Sequence, residues 1–210
     1  TKGNGLSRNI VVPEYIGGKA VTEIGDNAFL NCSSITEITL SDQVQELGAY
    51  AFKGCSALIR INGTSNLEII KDGTFEGCIN LSYFPDLSNV ISIGNCASKD
   101  CSSLTSINIS DCLTSIGDYA FQNCVMLLQT PDLTSVASIG AYAFQGCKLL
   151  TEIKSLDGCA TFGEGIFTAC ENIAKLTLSF RESIEQFYVS SLFGRDSSLD
   201  SSKYYQVTGK

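Results

Sequence analysis

Histidine does not occur anywhere in the 210 residues. That absence removes the commonest general base, the Ser-His-Asp triad and every imidazole metal ligand. Paired carboxylates such as Glu37 and Glu152 remain, but 152 minus 37 is 115 residues. In a stack of 23-residue coils that separation is about 24 Å, too far for a joint acid and base role. Basic residues are scarce too: 14 Lys and Arg stand against 22 Asp and Glu, a net charge of −8. This balance argues against a nucleic-acid partner. No apolar run approaches about 18 residues, and no charged-then-apolar leader opens the chain, so neither a membrane span nor a secretory signal is expected in it as given.

What is abundant is repetition. The stretch IGDNAFLNC, from Ile24 to Cys32, returns as IGDYAFQNC, from Ile116 to Cys124. Cys32, Cys55, Cys78, Cys101, Cys124, Cys147 and Cys170 fall at one constant interval, since 55 minus 32 is 23 and every later step is equal. A fixed period of this length is the signature of stacked repeats, in which each unit buries its apolar face only against its neighbours. At 44% apolar residues the chain can fill such a core.

Superposing the seven units separates inward from outward positions. Ile24, Leu47, Ile70, Ile93, Ile116, Ile139 and Phe162 form one apolar series, and Ile35, Leu58, Leu81, Leu104, Leu127, Leu150 and Ile173 another. Phe29, Phe52, Phe75, Phe121, Phe144 and Phe167 form an aromatic series in which Ser98 takes the fourth place, so that coil should be underpacked or rearranged. The alternation Ile38-Thr39-Leu40 predicts a short strand, and Val44 to Leu47 a second extended piece. Gly25, Gly48, Gly94, Gly117, Gly140 and Gly163 then mark a sharp turn or a positive φ. The following Ala-Phe pair is predicted to enter a helical or 3₁₀ turn.

One solenoid domain over residues 1–210 accounts for all of this. Residues 1–20 read as an N-terminal cap and 21–178 as seven repeats. Residues 179–210 read as a degenerate eighth coil, keeping Ile184, Phe187, Leu192 and Phe193 two or three positions out of register, followed by a Ser-rich tail from Ser197 expected to fray. Stacked at about 4.8 Å per coil, the rod should be roughly 35 to 40 Å long.

The unit C-x-x-L-x-x-I-x-L followed by I-G-x-x-A-F resembles the leucine-rich repeats of the BspA-like, or treponemal, class. CSSITEITL and CSSLTSINI carry the first half, and IGDNAF, IGDYAF and IGAYAF the second. The resemblance runs from about Val11 to Phe193. It implies a right-handed leucine-rich repeat superhelix, an α/β solenoid that is β-rich with short helical turns. It also implies a cell-surface or extracellular protein that is no enzyme, needs no cofactor and binds a protein or glycan on a host or neighbouring cell. A structural stalk displaying another domain is the alternative. YFPDLSNV and QTPDLTSV depart from the pattern: Pro85 and Pro131 cannot donate to a strand ladder, so their coils should have shorter or interrupted strands.

The ten cysteines are read first as thiols. Seven share one site per coil and should point into the stack, each donating its S–H to a neighbouring carbonyl. Cys159 falls in the Val44 series and is assigned to the core. Cys96 is assigned to the space left by Ser98. A metal grouping of Cys96, Cys101, Cys112 and Cys124 lacks the short paired spacing of structural zinc sites. Tyr50, Tyr119 and Tyr142 recur before Ala-Phe, either as an adhesive stripe or packed against neighbouring turns. Sequons stand at Asn31, Asn62, Asn80 and Asn108, of which Asn31, next to a buried Cys, is a poor acceptor. If Ile35 and Ile38 face inward, the outward strand row is Glu37, Arg60, Tyr83, Ser106, Gln129, Glu152 and Lys175. This row is the candidate ligand-binding face, with Arg60 and Tyr83 at its centre because both types are enriched at interface hot spots. The protein is expected to be monomeric.

Overall fold

A computed structural model of the chain describes residues 8–109, 111–180, 192–194 and 205–209. Strands follow one another as β1 (Asn9–Val11), β2 (Tyr15–Ile16), β3 (Lys19–Ala20), β4 (Glu23–Ile24), β5 (Glu37–Thr39), β6 (Glu46–Leu47), β7 (Arg60–Asn62) and β8 (Ile69–Ile70). After these come β9 (Tyr83–Leu87), β10 (Ser92–Ile93), β11 (Ser106–Ile109), β12 (Ser115–Ile116) and β13 (Ser138–Ile139). The last are β14 (Glu152–Ile153), β15 (Thr161–Phe162), β16 (Lys175–Phe180) and β17 (Tyr205–Gly209).

Each coil crosses three sides of the solenoid. The first side carries a five-stranded sheet, β1-β5-β7-β9-β11, and farther along the axis a second sheet, β14-β16-β17. The second side is a seven-stranded sheet of two-residue strands, β15-β13-β12-β10-β8-β6-β4. Pairing is parallel between coils, Glu37 to Arg60 and Ser92 to Ser115, so the 23-residue period of the sequence is the pitch of the fold. Successive parallel strands joined by a crossover take the right-handed sense. The antiparallel hairpin β2–β3 lies ahead of the first full coil.

The third side, which holds the Ala-Phe pairs, differs from expectation: it is built of consecutive turns and not of helix. The reason lies in where its N–H groups go. Asn27, Phe29 and Asn31 donate to Ala49, Ala51 and Lys53 of the next coil at 2.9, 2.7 and 2.7 Å, while Ala28, Leu30 and Cys32 donate three residues back within their own coil. Half of the donors are thus used between coils, which leaves no i to i−4 ladder for a helix. The conformation alternates accordingly, with left-handed residues at Asn27, Tyr50, Gly73, Cys96, Tyr119, Tyr142 and Gly165, and again four residues later at Asn31, Gly54, Gly77, Asp100, Asn123, Gly146 and Ala169. The expected glycine hinge therefore sits elsewhere. Gly48 is not left-handed; it is small because a Cβ would stand 2.6 Å from the Asp26 amide nitrogen and 2.7 Å from its Oδ1.

The interior is a set of ladders. The rings of Phe29, Phe52 and Phe75 stack at 5.3 and 5.5 Å, and those of Phe121, Phe144 and Phe167 at 5.2 and 5.6 Å. Between the two runs Ser98 is buried, and Phe75 takes the edge of Phe84 at 5.1 Å instead of a stacked ring. Phe84 occupies the inward strand position held by Ile38 and Ile61 in earlier coils, so a larger side chain on one wall accompanies the loss on the other. Cys96 does not occupy that region. It stands on the left-handed turn position, half-buried, with Lys99, Glu76, Asp72 and Lys53 as its charged neighbours.

The two prolines act differently. At Pro131 the strand shrinks to an isolated bridge, Gln129 to Glu152, and the Thr130 hydroxyl accepts from the Lys154 N–H at 2.9 Å. At Pro85 the strand is longer than its neighbours, contrary to expectation. A bulge opposes Phe84–Leu87 to Ile107–Ile109, which absorbs the proline and turns Leu87 into the core.

At the far end Phe167 donates to the Leu192 carbonyl, a separation of 25 residues where Phe144 to Ile166 spans 22. The next layer therefore carries three extra residues. Phe193 lies 6.1 Å from the Phe167 ring. Ile184 and Phe187 lie outside the described residues. Part of the tail is a strand: β17 pairs in parallel with β16 along five positions. Among the described residues no helix is long and apolar enough to cross a membrane.

Candidate functional site

The outward strand row is assembled by period-two alternation. Ile38 and Ile61 are fully buried, Phe84 and Ile107 nearly so, and the residues one place earlier face out. Lateral register places Glu37 beside Arg60, Arg60 beside Tyr83, and Tyr83 beside Ser106 on one continuous sheet. Gln129, which is exposed, lies beyond the break at coil five and pairs with Glu152, which pairs in turn with Lys175. The seven candidates therefore form two groups, four on one sheet and three farther along the axis.

Within the first group the chemistry is specific. Arg60 grips Glu37 through two contacts, Nε to Oε1 at 2.9 Å and Nη2 to Oε2 at 3.2 Å, and the Asn62 amide donates to the same Oε1 at 2.7 Å. The Arg60 hydrogen bond holds the Glu37 carboxyl below its ordinary range, and Glu37 in turn raises Arg60. The guanidinium is thereby oriented but still accessible, with 59% of its side chain exposed. Tyr83 beside it is 42% exposed, and Ile59 flanks the pair at 49%. Two residues farther along the strand path, Asn108 is exposed whereas Pro131 is buried.

The tyrosine series packs rather than projecting freely. The Tyr50 ring lies over the α-carbon of Gly73, the Tyr142 ring over that of Gly165, and Tyr119 stacks on Tyr142 at 5.3 Å. Lys53 and Lys99 stand 5.1 and 5.8 Å from the Tyr50 and Tyr119 rings. Six of the seven in-register thiols donate to carbonyls 26 residues back, among them Cys55 to Phe29 and Cys78 to Phe52 at 3.1 Å, Cys101 to Phe75 at 3.2 Å and Cys124 to Ser98 at 3.3 Å, whereas Cys32 in the first coil is half-buried and turns to Leu30 at 4.0 Å. All ten cysteines are free thiols. Cys101 and Cys124 are buried while Cys112 is exposed, and among the described residues no cluster of three or more His, Cys, Asp or Glu could hold a metal.

One feature escaped the sequence reading. A groove of about 520 Å³ runs along the corner between the two sheets, lined by polar side chains that include Gln43, Asn66 and Asn89. The signal for it is the 23-residue spacing of those amides.

The sequence matches the BspA type leucine-rich repeat region over residues 9–128 and 128–205, in six copies. The chain belongs to this family. Its members are in general binding or structural proteins and not enzymes. Among solved structures, the T. pallidum leucine-rich repeat protein is similar at 28% identity and a TM-score of 0.74, over 79% of this chain and 78% of that one. A leucine-rich repeat protein from Bacteroides ovatus shares 23% identity over 82% of this chain and 63% of that one, with a TM-score of 0.44. A leucine-rich cell-surface protein from Faecalibacterium prausnitzii shares 18% over 92% and 80%, with a TM-score of 0.43. No curated protein matches the chain.

Proposed function

We propose that this BspA-type solenoid is a cell-surface or extracellular binding module that docks a protein or glycan of a host or neighbouring cell on its first sheet. Glu37, Arg60, Tyr83 and Ser106 form the main contact row, and Gln129, Glu152 and Lys175 extend it. The observation that carries the reading is Tyr83, 42% exposed and in lateral register with Arg60. Tyr and Arg are enriched at interface hot spots, and contiguous exposed apolar surface rimmed by polar groups marks contact sites, which a stalk does not need. Other exposed apolar side chains, Met126 at 44%, Leu128 at 52% and Leu149 at 38%, likewise make the exterior unlike a uniformly polar spacer.

Arg60 is held by Glu37 before any partner arrives, so less side-chain freedom is lost on docking. The test is a comparison of wild type with the double variant Arg60→Ala, Tyr83→Ala against a partner isolated from host extracellular material and quantified by surface binding. Affinity should fall at least about tenfold, or 1.4 kcal/mol, with circular dichroism unchanged. Equal affinity in a folded double variant would place the contact elsewhere on the solenoid.

A further inference from the structure

The corner groove has a construction that the strand row does not share. On one wall Gln43, Asn66 and Asn89 advance one coil per step, 66 minus 43 and 89 minus 66 both being 23. On the other, Gln45 and Glu68 do the same. Both walls are held by hydrogen bonds between coils. The Asn66 Nδ2 donates to the Asp42 carbonyl at 2.9 Å and the Asn89 Nδ2 to the Ser65 carbonyl at 2.6 Å, while the Glu68 N–H donates to Gln45 at 2.8 Å.

These bonds fix which atoms are left for a ligand. With one N–H of each asparagine amide committed to the preceding coil, its Oδ1, an acceptor, and its second N–H remain for a ligand. Asp42 and Glu68 add carboxylates, and no Lys or Arg lines the groove. The surface is therefore rich in acceptors, negative, and repeats at the coil spacing of about 4.8 Å. An anion is repelled. An extended peptide advances about 3.3 Å per residue and falls out of step with the coils within a few residues. A chain of pyranose rings matches better, since one ring with its glycosidic oxygen spans a length close to one coil and presents several hydroxyl donors.

We infer that the groove binds an extended oligosaccharide without acidic groups, neutral or amino-bearing, lying along the solenoid axis with about one sugar ring per coil. Gln43, Asn66 and Asn89 accept from hydroxyls along one edge of the ligand, and Gln45 and Glu68 along the other. Ile91, 46% exposed at the end of the second wall, offers an apolar surface to a ring face. This site is separate from the first-sheet contact row.

The test uses the whole chain, titrated calorimetrically with cellotetraose, with a glucosamine tetramer and with a heparin tetrasaccharide. The two non-acidic tetramers should bind and the heparin fragment should not. Gln45→Ala combined with Glu68→Ala, two partly or fully exposed positions whose backbone hydrogen bonds are retained, should weaken tetramer binding at least tenfold. Arg60→Ala with Tyr83→Ala should leave it unchanged, which separates failure of this site from failure of the first-sheet reading. The inference is overturned if neither non-acidic tetramer binds, if heparin binds as well as they do, or if the folded Gln45/Glu68 variant keeps its affinity.

Discussion

The thiol at each coil corner illustrates how one residue type is selected by a hydrogen bond and a volume together. Burial pushes Cys55 and Cys170 up to about 12 from an ordinary 9.0, and Cys124 and Cys147 also well upward. A thiol whose folded pKa lies above its unfolded one adds stability that is complete below 9.0 and is lost as pH rises toward about 12. Denaturation midpoints should therefore fall across that window, and Cys55→Ala should remove part of the fall. Thiol titration of the native protein should find most of the seven ladder cysteines unreactive, and denaturant without reductant should release them as free thiols. Four or more found in disulfides would contradict the structure. This ladder was legible in the sequence because equal spacing fixes equivalence without reference to the path of the chain. Cys96 was not: the 23-residue step aligns it with Tyr50, Tyr119 and Tyr142, but spacing alone does not say that this position is left-handed and lies away from the gap at Ser98.

The turn side is the element that sequence periodicity misassigned. Apolar residues in I-G-x-x-A-F fit one turn of helix as readily as a stack of turns, and the deciding fact is the destination of the N–H groups in the next coil. Its energetics are testable at Gly73, left-handed with φ 59 and covered by the Tyr50 ring. Gly73→Ala should lose about 1 to 2 kcal/mol from backbone conformation alone, and more from the collision with the ring. Replacing Tyr50 by Ala as well should recover the second part. A double-mutant cycle by chemical denaturation should give a coupling of about 0.5 to 3 kcal/mol, and a coupling of zero would show that the ring does not rest on that glycine. The candidate strand row, by contrast, followed directly from period-two alternation at Ile38 and Ile61. What the alternation could not show is that Arg60 is already engaged by Glu37, since the pair lies 23 residues apart in sequence and meets only through the stacking.

Across the whole molecule, contacts run from coil to coil, so the stability of the array is a sum of local terms. At coil five an isolated bridge replaces a strand on the first side, while the second sheet stays paired. The equal pitch elsewhere also makes the length of this protein quantised. Residues 89–111 make one period, 111 minus 89 plus one being 23, and removing them brings Phe121 to the place of Ser98 directly above Phe75. That shortened chain should fold and melt cooperatively, its aromatic column now unbroken. Deleting 22 or 24 residues from the same place should produce a chain that melts far lower or does not fold. Insertions and losses are then tolerated in whole teeth, as on a gear, and every intermediate length is out of mesh.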